Sequence, residues 1–557
     1  MSECKIGVFL CHCGSNIAGV LNMEELEEYA RTLTNVAYVE RNLYTCSEPG
    51  IRAIKDAIKA QGLERVVVAA CTPRTHEPMF RTEVANAGLN PYLFEFANIR
   101  DQCSWVHGDD PEGALAKAKD LVRMAVARAA LLEPLQVIEA DVLPSALVVG
   151  GGVSGMTAAL DLAGRGFDVT LVEKEKQLGG ILNGLFKLYP ARVDSREYAQ
   201  SVIEKVKSAK KIKVLTETSL ESVEGCIGNF TAQVSHAGNA EEVKAGVIII
   251  ATGANVFEPE KMYGYDGKKV VTQLQYEEIL RSGLKDANNI VMIQCVGART
   301  KERDYCSKIC CSTALKNSLE TLEQNPRANI YILYSDMMAW GIENEEAYRE
   351  ARLKGISFIR CTPEITNPVV EDGAVVAFDQ EVQEKLRIPY DVLVLSTPLI
   401  PREDSETLGQ LLKISRDEDG FFLEAHVKLK PVDFAVDGVY LCGCAHWPVD
   451  VTETLAQAHA AAARASIPLT QGTVKVEPCV SAFADEALCR GCGLCVYACP
   501  YGAIEVVETE NGPKAKVTEV ACKGCGVCAA TCYRRALKIK HFTNEQIGAQ
   551  IKALLEV

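Results

Sequence analysis

The sequence lacks any apolar run long enough to cross a membrane. Its longest apolar runs, Ala245–Thr252 and Asp391–Thr397, have the length of strands, whereas a membrane-spanning helix needs about 20 residues. No secretory leader is recognisable, since Met1–Gly7 is charged and leads directly into a short strand. With a formal net charge of −15, the chain has no basic stripe to neutralise nucleic-acid phosphates. We therefore expect a cytoplasmic protein with no direct membrane span and no nucleic-acid partner.

Cysteine, in contrast, is abundant. The chain contains 23 cysteines, an odd number, in a sequence of otherwise ordinary globular composition, 48% hydrophobic and 24% charged. Clustered cysteines in a long chain from a reducing compartment indicate metal binding rather than disulfide bonds. The length of 557 residues exceeds what one hydrophobic core supports, and it predicts roughly three or four domains.

The most specific cysteine pattern lies near the C-terminus. Two runs of four cysteines share the spacing C-x2-C-x2-C-x3-C and begin 33 residues apart: Cys489, Cys492, Cys495 and Cys499, then Cys522, Cys525, Cys528 and Cys532. Pro500 follows the first run, and Tyr533 stands in its place after the second. This duplicated spacing is typical of bacterial ferredoxins that bind two [4Fe–4S] clusters.

In such ferredoxins the fourth cysteine of each run ligates the cluster of the other run. One expected ligand set is therefore Cys489, Cys492, Cys495 and Cys532, and the other is Cys522, Cys525, Cys528 and Cys499. The alternative is a pair of structural zinc sites, which are built from two pairs of ligands. Two triplets, each followed by a lone cysteine, fit that arrangement badly.

A glycine-rich turn in the middle of the chain predicts a dinucleotide-binding domain. An apolar strand, Ala146–Val149, leads into Gly150-Gly151-Gly152-Val153-Ser154-Gly155 and then into a helix. A second strand, Asp168–Val172, ends at Glu173. The first, third and last of these glycines occupy the positions that let a backbone approach a pyrophosphate at a helix N-terminus. The acidic residue is placed to bind a ribose hydroxyl.

Three further segments resemble those of flavoproteins with two dinucleotide-binding domains. They are Leu178-Gly179-Gly180, the strand that ends in Thr252-Gly253, and Gly438–Gly443 followed by the helix Thr452–Ala465. Their order resembles the thioredoxin reductase family over residues 145 to 470. The resemblance implies that FAD is bound by Gly150, Gly152, Val153, Ser154, Gly155, Glu173, Lys174, Gly179, Gly180, Thr252, Gly253, Gly443 and Thr454.

The second glycine fingerprint of that family, which binds a nicotinamide cofactor, is degenerate here. The strand Asn289–Gln294 leads into Cys295-Val-Gly-Ala-Arg299, with a single glycine, and no acidic residue ends a following strand at the expected place. Instead the segment carries four cysteines, Cys295, Cys306, Cys310 and Cys311. Four thiols so close together predict a further cluster, and a flavin that exchanges electrons with clusters rather than with a nicotinamide in its own chain.

Long motifs across the chain resemble the A-type subunits of heterodisulfide reductase. They are Cys11-His-Cys-Gly-Ser-Asn-Ile-Ala-Gly, Ala70-Cys-Thr-Pro-Arg-x-His-Glu-Pro, Asn98-Ile-Arg-Asp-Gln-Cys-Ser-Trp-Val-His107, and the segment from Cys295 to Cys311. The resemblance implies an α/β fold with a thioredoxin-reductase-like FAD domain between two cluster-binding domains. We place an N-terminal α/β domain with one [4Fe–4S] cluster at residues 1–140, the FAD domain at 141–472 with its degenerate nicotinamide subdomain at 263–395, the two-cluster ferredoxin domain at 473–541, and a helical tail at 542–557.

Five N-terminal cysteines compete for four ligand positions. We favour Cys11, Cys46, Cys71 and Cys103 as ligands and keep Cys13 as the substitute, above all for Cys11. In the family a lysine five residues after the paired cysteines lies against the reactive edge of the flavin, which implies a catalytic role for Lys316. A solvated helix lysine is the alternative.

The resemblance also implies partners. These are B- and C-type subunits, a hydrogenase or formate dehydrogenase as donor, and ferredoxin, with a homodimer inside the larger complex. The expected activity is flavin-based electron bifurcation or confurcation, with FAD and four [4Fe–4S] clusters as cofactors. This chain departs from methanogen versions because Gly180 continues directly to Ile181–Tyr189, without their inserted ferredoxin-like domain. A non-bifurcating wire to a quinone-interacting membrane module and an inactive assembly scaffold are the rival functions.

Overall fold

The computed structural model describes residues 4–236, 239–284, 287–361, 367–476 and 481–555. The chain forms two compact units. The first combines Met1–Glu139 with Lys475–Val557, and the second is Ala140–Val474. The finer division into four domains stays a prediction. Within the described ranges, no helix has both the length and the apolar character needed to cross a membrane.

The N-terminal part of the first unit is built on a four-stranded parallel sheet. Its strands are β1 (Ile6–Cys11), β2 (Val36–Asn42), β3 (Arg65–Ala70) and β4 (Phe94–Asn98), and its helices are α1 (Ser15–Ala18), α2 (Met23–Thr32), α3 (Glu48–Gln61), α4 (Pro73–Asn86) and α5 (Pro111–Ala129). The strands lie in the order β2-β1-β3-β4. Every residue of β1 is buried, as expected for a parallel sheet that is covered on both faces. One turn of π-helix, Arg100–Ser104, follows β4.

The first half of the second unit contains a five-stranded parallel sheet. Its strands are β6 (Ser145–Val149), β7 (Asp168–Val172), β8 (Ile212–Leu215), β12 (Val247–Ile250) and β23 (Val439–Leu441), in the order β23-β12-β6-β7-β8. The helices of this half are α6 (Val153–Gly164), α7 (Ser195–Ser208), α11 (Ser405–Leu412) and α12 (Val451–Gln471), and its antiparallel sheet consists of β9 (Thr218–Cys226), β10 (Asn229–His236) and β11 (Asn239–Ala245). Turns after β6, β7 and β12 therefore meet at one edge of the sheet, where ligands of open α/β folds bind.

The second half repeats this architecture with another five-stranded parallel sheet. Its strands are β14 (Val270–Thr272), β15 (Asn289–Ile293), β16 (Asn329–Tyr334), β17 (Ser357–Arg360) and β21 (Val392–Leu395), and its helices are α8 (Gln273–Ser282), α9 (Cys310–Gln324) and α10 (Ile342–Leu353). The strands lie in the order β14-β21-β15-β16-β17. An antiparallel sheet is formed by β18 (Val369–Glu371), β19 (Ala374–Asp379) and β20 (Glu384–Pro389). A short antiparallel pair is formed by β13 (Asn255–Val256) and β22 (Leu399–Ile400). The strands β5 (Ile138–Asp141) and β24 (Thr473–Val476) form another short pair, at the positions where the chain passes from one unit to the other.

The C-terminal part of the first unit shows the internal duplication expected from its cysteine spacing. Helix α13 (Leu494–Ala498) and helix α14 (Val527–Thr531) each begin after a glycine with left-handed backbone, at φ 77 and φ 80. The strands are β25 (Ala482–Ala484), β26 (Ile504–Thr509), β27 (Gly512–Val517) and β28 (Leu537–Ile539).

The tail forms helix α15 (Asn544–Leu555), whose packing differs from the one expected. Its apolar residues recur at helical spacing, and the sequence favours core packing for them, yet Ile547, Ile551, Leu554 and Leu555 are exposed. The buried residues of this helix are Gln546 and Ala553. The side chain of Arg123 on α5 donates to the backbone oxygens of Ala553 and Leu554, and the Gln546 side chain donates to the Leu131 backbone oxygen. Side-chain hydrogen bonds therefore join the helix to α5 and the segment after it.

Candidate functional site

The glycine turn after β6 has the geometry that a pyrophosphate cradle needs. Gly150 has φ 113, and a Cβ there would lie 2.2 Å from the Ala251 oxygen. A Cβ on Gly155 would lie 1.8 Å from the Gly150 oxygen. Only glycine permits this close approach of turn, helix and neighbouring strand. The N-terminus of α6 is thereby brought to the edge of the sheet, where anions bind favourably.

Glu173, at the end of β7, is tied to the same turn. One carboxylate oxygen accepts the backbone N–H of Gly151 at 2.5 Å, and the other accepts that of Glu175 at 2.8 Å. The side chain is 9% exposed. An ionised carboxylate has further lone pairs, so these two bonds orient the group and leave it able to accept a ribose hydroxyl.

A cavity of about 420 Å³ lies in front of the turn. Of the predicted flavin ligands it is lined by Gly150, Gly152, Val153, Ser154, Glu173, Lys174, Gly179, Gly180, Thr252, Gly253 and Thr454. Gly155 and Gly443 lie behind this lining. A Cβ on Gly443 would lie 2.8 Å from the Ser154 hydroxyl. Glycine at this position therefore leaves room for Ser154, which lines the cavity.

The cavity fits FAD by two independent observations. The first is the glycine cradle, which a single Cβ would fill. The second is a pair of buried hydroxyls, Thr252 Oγ1 and Tyr189 OH, for which the described residues supply no hydrogen-bond partner although both residues line the cavity. Buried polar atoms are almost always satisfied in native proteins, so a polar ligand in this cavity would complete both.

Sequence reasoning did not assign a further part of the cavity wall. It is formed by the segment that follows Gly180, including Ile181, Lys187 and Tyr189, and by Glu277 on α8. The sequence indicated only that Gly180 continues directly to Ile181–Tyr189 without an inserted domain. That observation predicts a short connection and says nothing about the wall of a cavity.

Lys316 on α9 also lines the cavity, and the structure overturns the solvated alternative for it. Its Nζ lies 2.5 Å from a Glu277 carboxylate oxygen and donates to the Lys187 backbone oxygen at 2.9 Å. The Lys316 and Glu277 side chains are 3% and 1% exposed. Burial lowers the pKa of Lys316, while the Glu277 carboxylate raises it. A buried ion pair therefore faces the space proposed for the flavin.

The four middle cysteines lie near one another. Cys295 follows β15 in a left-handed backbone conformation, φ 60, and the other three lie at the start of α9 and in the loop before it. Cys310 is within electrostatic range of Cys311, Cys295 and Cys306. Burial raises the pKa of Cys310 and raises that of Cys311 to about 12. Bare thiols here stay protonated, whereas bound iron would supply the positive charge that stabilises thiolates.

Two charged residues beside this group were missed. Arg299 lies against Cys295, and its Nη2 is 2.8 Å from a carboxylate oxygen of Asp336. Asp336 stands two residues after β16, beyond the strand end where a ribose-binding acid is expected. It is paired with the cysteine loop rather than placed for a ribose, and its signal in the sequence is only its position after an apolar strand.

The N-terminal cysteines differ from the favoured assignment. Cys46 and Cys71 each lie within electrostatic range of both Cys11 and Cys13. Arg100 joins this group, because its Nη1 donates to Cys13 Sγ at 3.5 Å. Four cysteines at the carboxyl edge of the sheet are thus brought together: Cys11, Cys13, Cys46 and Cys71.

Cys103 is not among them, which corrects the prediction. Its side chain is fully buried, and its thiol donates to the backbone oxygen of Ala114 on α5 at 3.0 Å. Its neighbours are apolar residues of the core, such as Ala118 and Val122. The π-helical turn directs Cys103 into the protein and places Arg100 beside Cys13 instead.

The C-terminal cysteines surround two cavities. One is lined by Cys489, Cys492, Cys495 and Cys532, and the other by Cys499, Cys522, Cys525 and Cys528. Each cavity therefore holds three cysteines of one run and the last cysteine of the other, the sets expected for crossed ligation. No group of three or more His, Cys, Asp or Glu side chains in the described ranges is arranged around a single metal ion.

Backbone N–H groups point at the cysteine sulfurs in matching pairs. Gly491 and Gly524 donate to Cys489 and Cys522, each at 3.5 Å. Ala503 and Ala536 donate to Cys499 and Cys532, each at 3.3 Å. Hydrogen bonds of this kind stabilise the charge on cluster-bound thiolates, so both halves fit [4Fe–4S] clusters.

Comparisons with known proteins match two parts of the chain to described domain families. Residues 144–298 match the family model described as pyridine nucleotide-disulphide oxidoreductase, and residues 488–541 match that of the 4Fe-4S dicluster domain. The two models confirm the predicted fold class. Among solved structures, thioredoxin reductase from T. acidophilum is 19% identical with a TM-score of 0.42, over 59% of this chain and 98% of its own.

Curated relatives cover nearly the whole chain. The A 2 iron-sulfur subunit of CoB–CoM heterodisulfide reductase from Methanopyrus kandleri is 40% identical over 91% of this chain and 92% of its own. The A subunit of the H2:CoB-CoM heterodisulfide,ferredoxin reductase from Methanothermobacter marburgensis is 39% identical over 100% and 98%. The A subunit of the H2/formate:CoB-CoM heterodisulfide,ferredoxin reductase from Methanococcus maripaludis is 34% identical over 100% and 99%. The last two alignments span more positions than this chain has residues, so parts of those relatives have no counterpart here.

Proposed function

The chain belongs to the family of heterodisulfide reductase A-type subunits, and from this membership we propose that it is an FAD-dependent electron-transfer subunit of a heterodisulfide-reductase-like complex. In the proposed reaction, electron pairs from a two-electron donor are split between ferredoxin and a disulfide-type acceptor, or joined in the reverse direction. Two relatives whose names include a heterodisulfide and ferredoxin together support this choice of acceptors.

One observation carries the proposal more than any other: the flavin cavity and the middle cysteine group share helix α9. Cys310 and Cys311 begin this helix, and Ser312, Thr313 and Lys316, all within its first two turns, line the cavity. Electrons pass efficiently only between centres that lie close together, and the residues of these two sites adjoin on one helix. The arrangement suits direct exchange between flavin and cluster.

Bound FAD would supply the conversion between two-electron and one-electron chemistry. The residues around it orient and insulate that chemistry. Lys316 holds a positive charge at the cavity wall, and Glu277 holds Lys316 in place. The glycine cradle and Glu173 hold the dinucleotide end.

Four [4Fe–4S] clusters are proposed to connect the flavin with partners. Their ligand sets share mutual proximity or a common cavity: Cys11, Cys13, Cys46 and Cys71; Cys295, Cys306, Cys310 and Cys311; Cys489, Cys492, Cys495 and Cys532; Cys499, Cys522, Cys525 and Cys528. The proposed partners are B- and C-type subunits, a hydrogenase or formate dehydrogenase, and ferredoxin, with the chain as a homodimer. The names of two relatives include H2 and formate, which supports a hydrogenase or a formate dehydrogenase as the electron donor.

The decisive experiment measures ferredoxin reduction by the purified complex with and without the high-potential acceptor. Bifurcation requires that ferredoxin reduction stop when that acceptor is omitted. Equal rates in both conditions would overturn bifurcation and favour a non-bifurcating wire to a quinone-interacting module. A flavin absorbance that never bleaches during turnover would instead support the scaffold function.

A pair of single substitutions tests the N-terminal ligand set. Cys13→Ala is expected to remove one cluster, about four iron atoms per chain, because Cys13 lies with the other three thiols. Cys103→Ala is the matched control and should keep full iron content, since it loses only a buried thiol that bonds to Ala114. Iron analysis with EPR of the reduced protein distinguishes the two. Loss of iron in the Cys103 variant alone would make Cys103 the fourth ligand in place of Cys13.

A further inference from the structure

The Arg299–Asp336 ion pair spans the middle cysteine group from two sides. Arg299 lies against Cys295 and within electrostatic range of Cys306. The backbone oxygen of Asp336 accepts the Cys311 thiol at 3.8 Å, so its peptide is fixed to the helix that begins with the paired cysteines. Opposite charges are thereby held beside the same four thiols, in a position that neither the flavin nor the dinucleotide turn uses.

The pair is arranged asymmetrically. Arg299 lies beside Cys295 and pairs with Asp336. The Asp336 carboxylate faces two guanidinium groups, Arg299 at 2.8 Å and Arg360 at 3.7 Å. The guanidinium of Arg299 is thus the charge that lies beside a sulfur, and the carboxylate restrains it. The Arg299 and Asp336 side chains are 34% and 44% exposed, so solvent screens the pair only in part.

A cluster gains one negative charge when it is reduced. A fixed cation nearby therefore raises its reduction potential, and a fixed anion lowers it, because hydrogen bonds, charge and solvent exposure set these potentials. We propose that Arg299 and Asp336 act as an opposed pair that sets the reduction potential of the cluster held by Cys295, Cys306, Cys310 and Cys311. This inference rests on the proposed function, since it requires that cluster.

The test uses the full-length protein and three variants, Arg299→Gln, Asp336→Asn and Arg299→Lys. Each protein is titrated with a reductant and redox mediators at one pH, and the EPR signal of the middle cluster is followed. One electron enters the cluster and no bond breaks. Arg299→Gln should lower the equilibrium constant for reduction about tenfold, which is about 59 mV for one electron. Asp336→Asn should raise it, and Arg299→Lys should recover most of the unaltered value.

Arg303→Gln is the matched control. Arg303 belongs to the same loop and carries the same charge, but its guanidinium lies 4.4 Å from the ring centroid of Phe257 and bonds to the Gly297 oxygen. Its replacement should leave the midpoint close to that of the unaltered protein. A shift as large as that of Arg299→Gln would overturn the inference, because the effect would then be general to the loop.

The signs separate charge from structural damage. Shifts of Arg299→Gln and Asp336→Asn in the same direction, or no shift in either, would overturn the inference while leaving the cluster itself established. If Arg299→Gln fails to assemble the cluster, the Asp336→Asn and Arg299→Lys variants decide the question. Absence of a middle-cluster signal and of its iron from the unaltered protein would instead overturn the proposed function.

Discussion

Replacing Gly155 with alanine is expected to yield a chain that keeps its iron–sulfur clusters but no longer retains FAD. The new Cβ would lie 1.8 Å from the Gly150 oxygen and 3.3 Å from the Ala251 Cβ. The first contact is with backbone, which cannot rotate away as a flexible side chain would. The helix α6 must therefore move off the glycine turn, and the cradle opens.

The size of the effect follows from overpacking. Extra atoms in a packed interior cost about 1–3 kcal/mol, and a contact this short with backbone lies at the upper end. If the glycine turn is displaced, this energetic cost reduces the free energy of FAD binding. A loss of about 3 kcal/mol corresponds to a roughly hundredfold weaker affinity for FAD. The flavin should then be lost during purification.

The measurement is the ratio of flavin absorbance to iron content in the purified protein. Gly164→Ala is the matched control, because Gly164 is the last residue of the same helix and a Cβ there meets nothing within 4 Å. The control should keep its flavin. Full FAD occupancy in the Gly155 variant would show that the cavity does not depend on this close approach.

Replacing Lys316 with methionine is expected to destabilise the second unit by about 3–5 kcal/mol, the usual result of leaving one partner of a buried ion pair alone. Glu277 would remain 1% exposed, with the Phe186 N–H as its donor at 2.7 Å. The flavin should also become harder to reduce, since the cavity wall loses its cation. Thermal unfolding and a flavin redox titration measure the two effects separately.

The double variant Lys316→Met with Glu277→Gln distinguishes the effect of a buried unpaired charge on stability from the effect of Lys316 on the flavin reduction potential. It should recover most of the lost stability, because no unpaired charge remains buried, yet keep the lowered flavin potential. Lys354→Met is the control, since Lys354 forms an exposed i,i+4 pair with Glu350 at 2.6 Å. Such a pair contributes about 0.3–0.5 kcal/mol. Equal destabilisation by the Lys316 and Lys354 variants would contradict the buried-pair explanation.

Features encoded in short stretches of chain were predictable. The spacing of each C-terminal run brings three cysteines around one point by local folding, and the duplication assigns the fourth. The glycine turn after β6 is equally local, because it needs φ values and close approaches that only Gly150 and Gly155 permit. The predicted elements of the flavin half accordingly match the observed ones within a few residues.

Features that join distant segments were not predictable. Cys103 and Cys13 both stand near strand ends in the sequence, but one π-helical turn directs Cys103 toward Ala114 and leaves Cys13 with the other thiols. The sequence is equally consistent with a solvent-exposed Lys316, because its ion-pair partner Glu277 lies 39 positions earlier and only the fold brings the two together. Periodicity likewise predicts that the tail is helical but not which face is covered.

The sequence by itself determined that this chain carries a dinucleotide-binding domain and a two-cluster ferredoxin segment, and it predicted that cysteines replace a nicotinamide site. Each of these depends on residues within about 40 positions of one another, where spacing limits the geometry. Only the tertiary structure decided which cysteines meet at the N-terminal site, that Lys316 is buried, and that Arg299 and Asp336 flank the middle cysteines. Those contacts depend on how strands and helices pack, and packing is set by many weak interactions across the chain rather than by any local pattern.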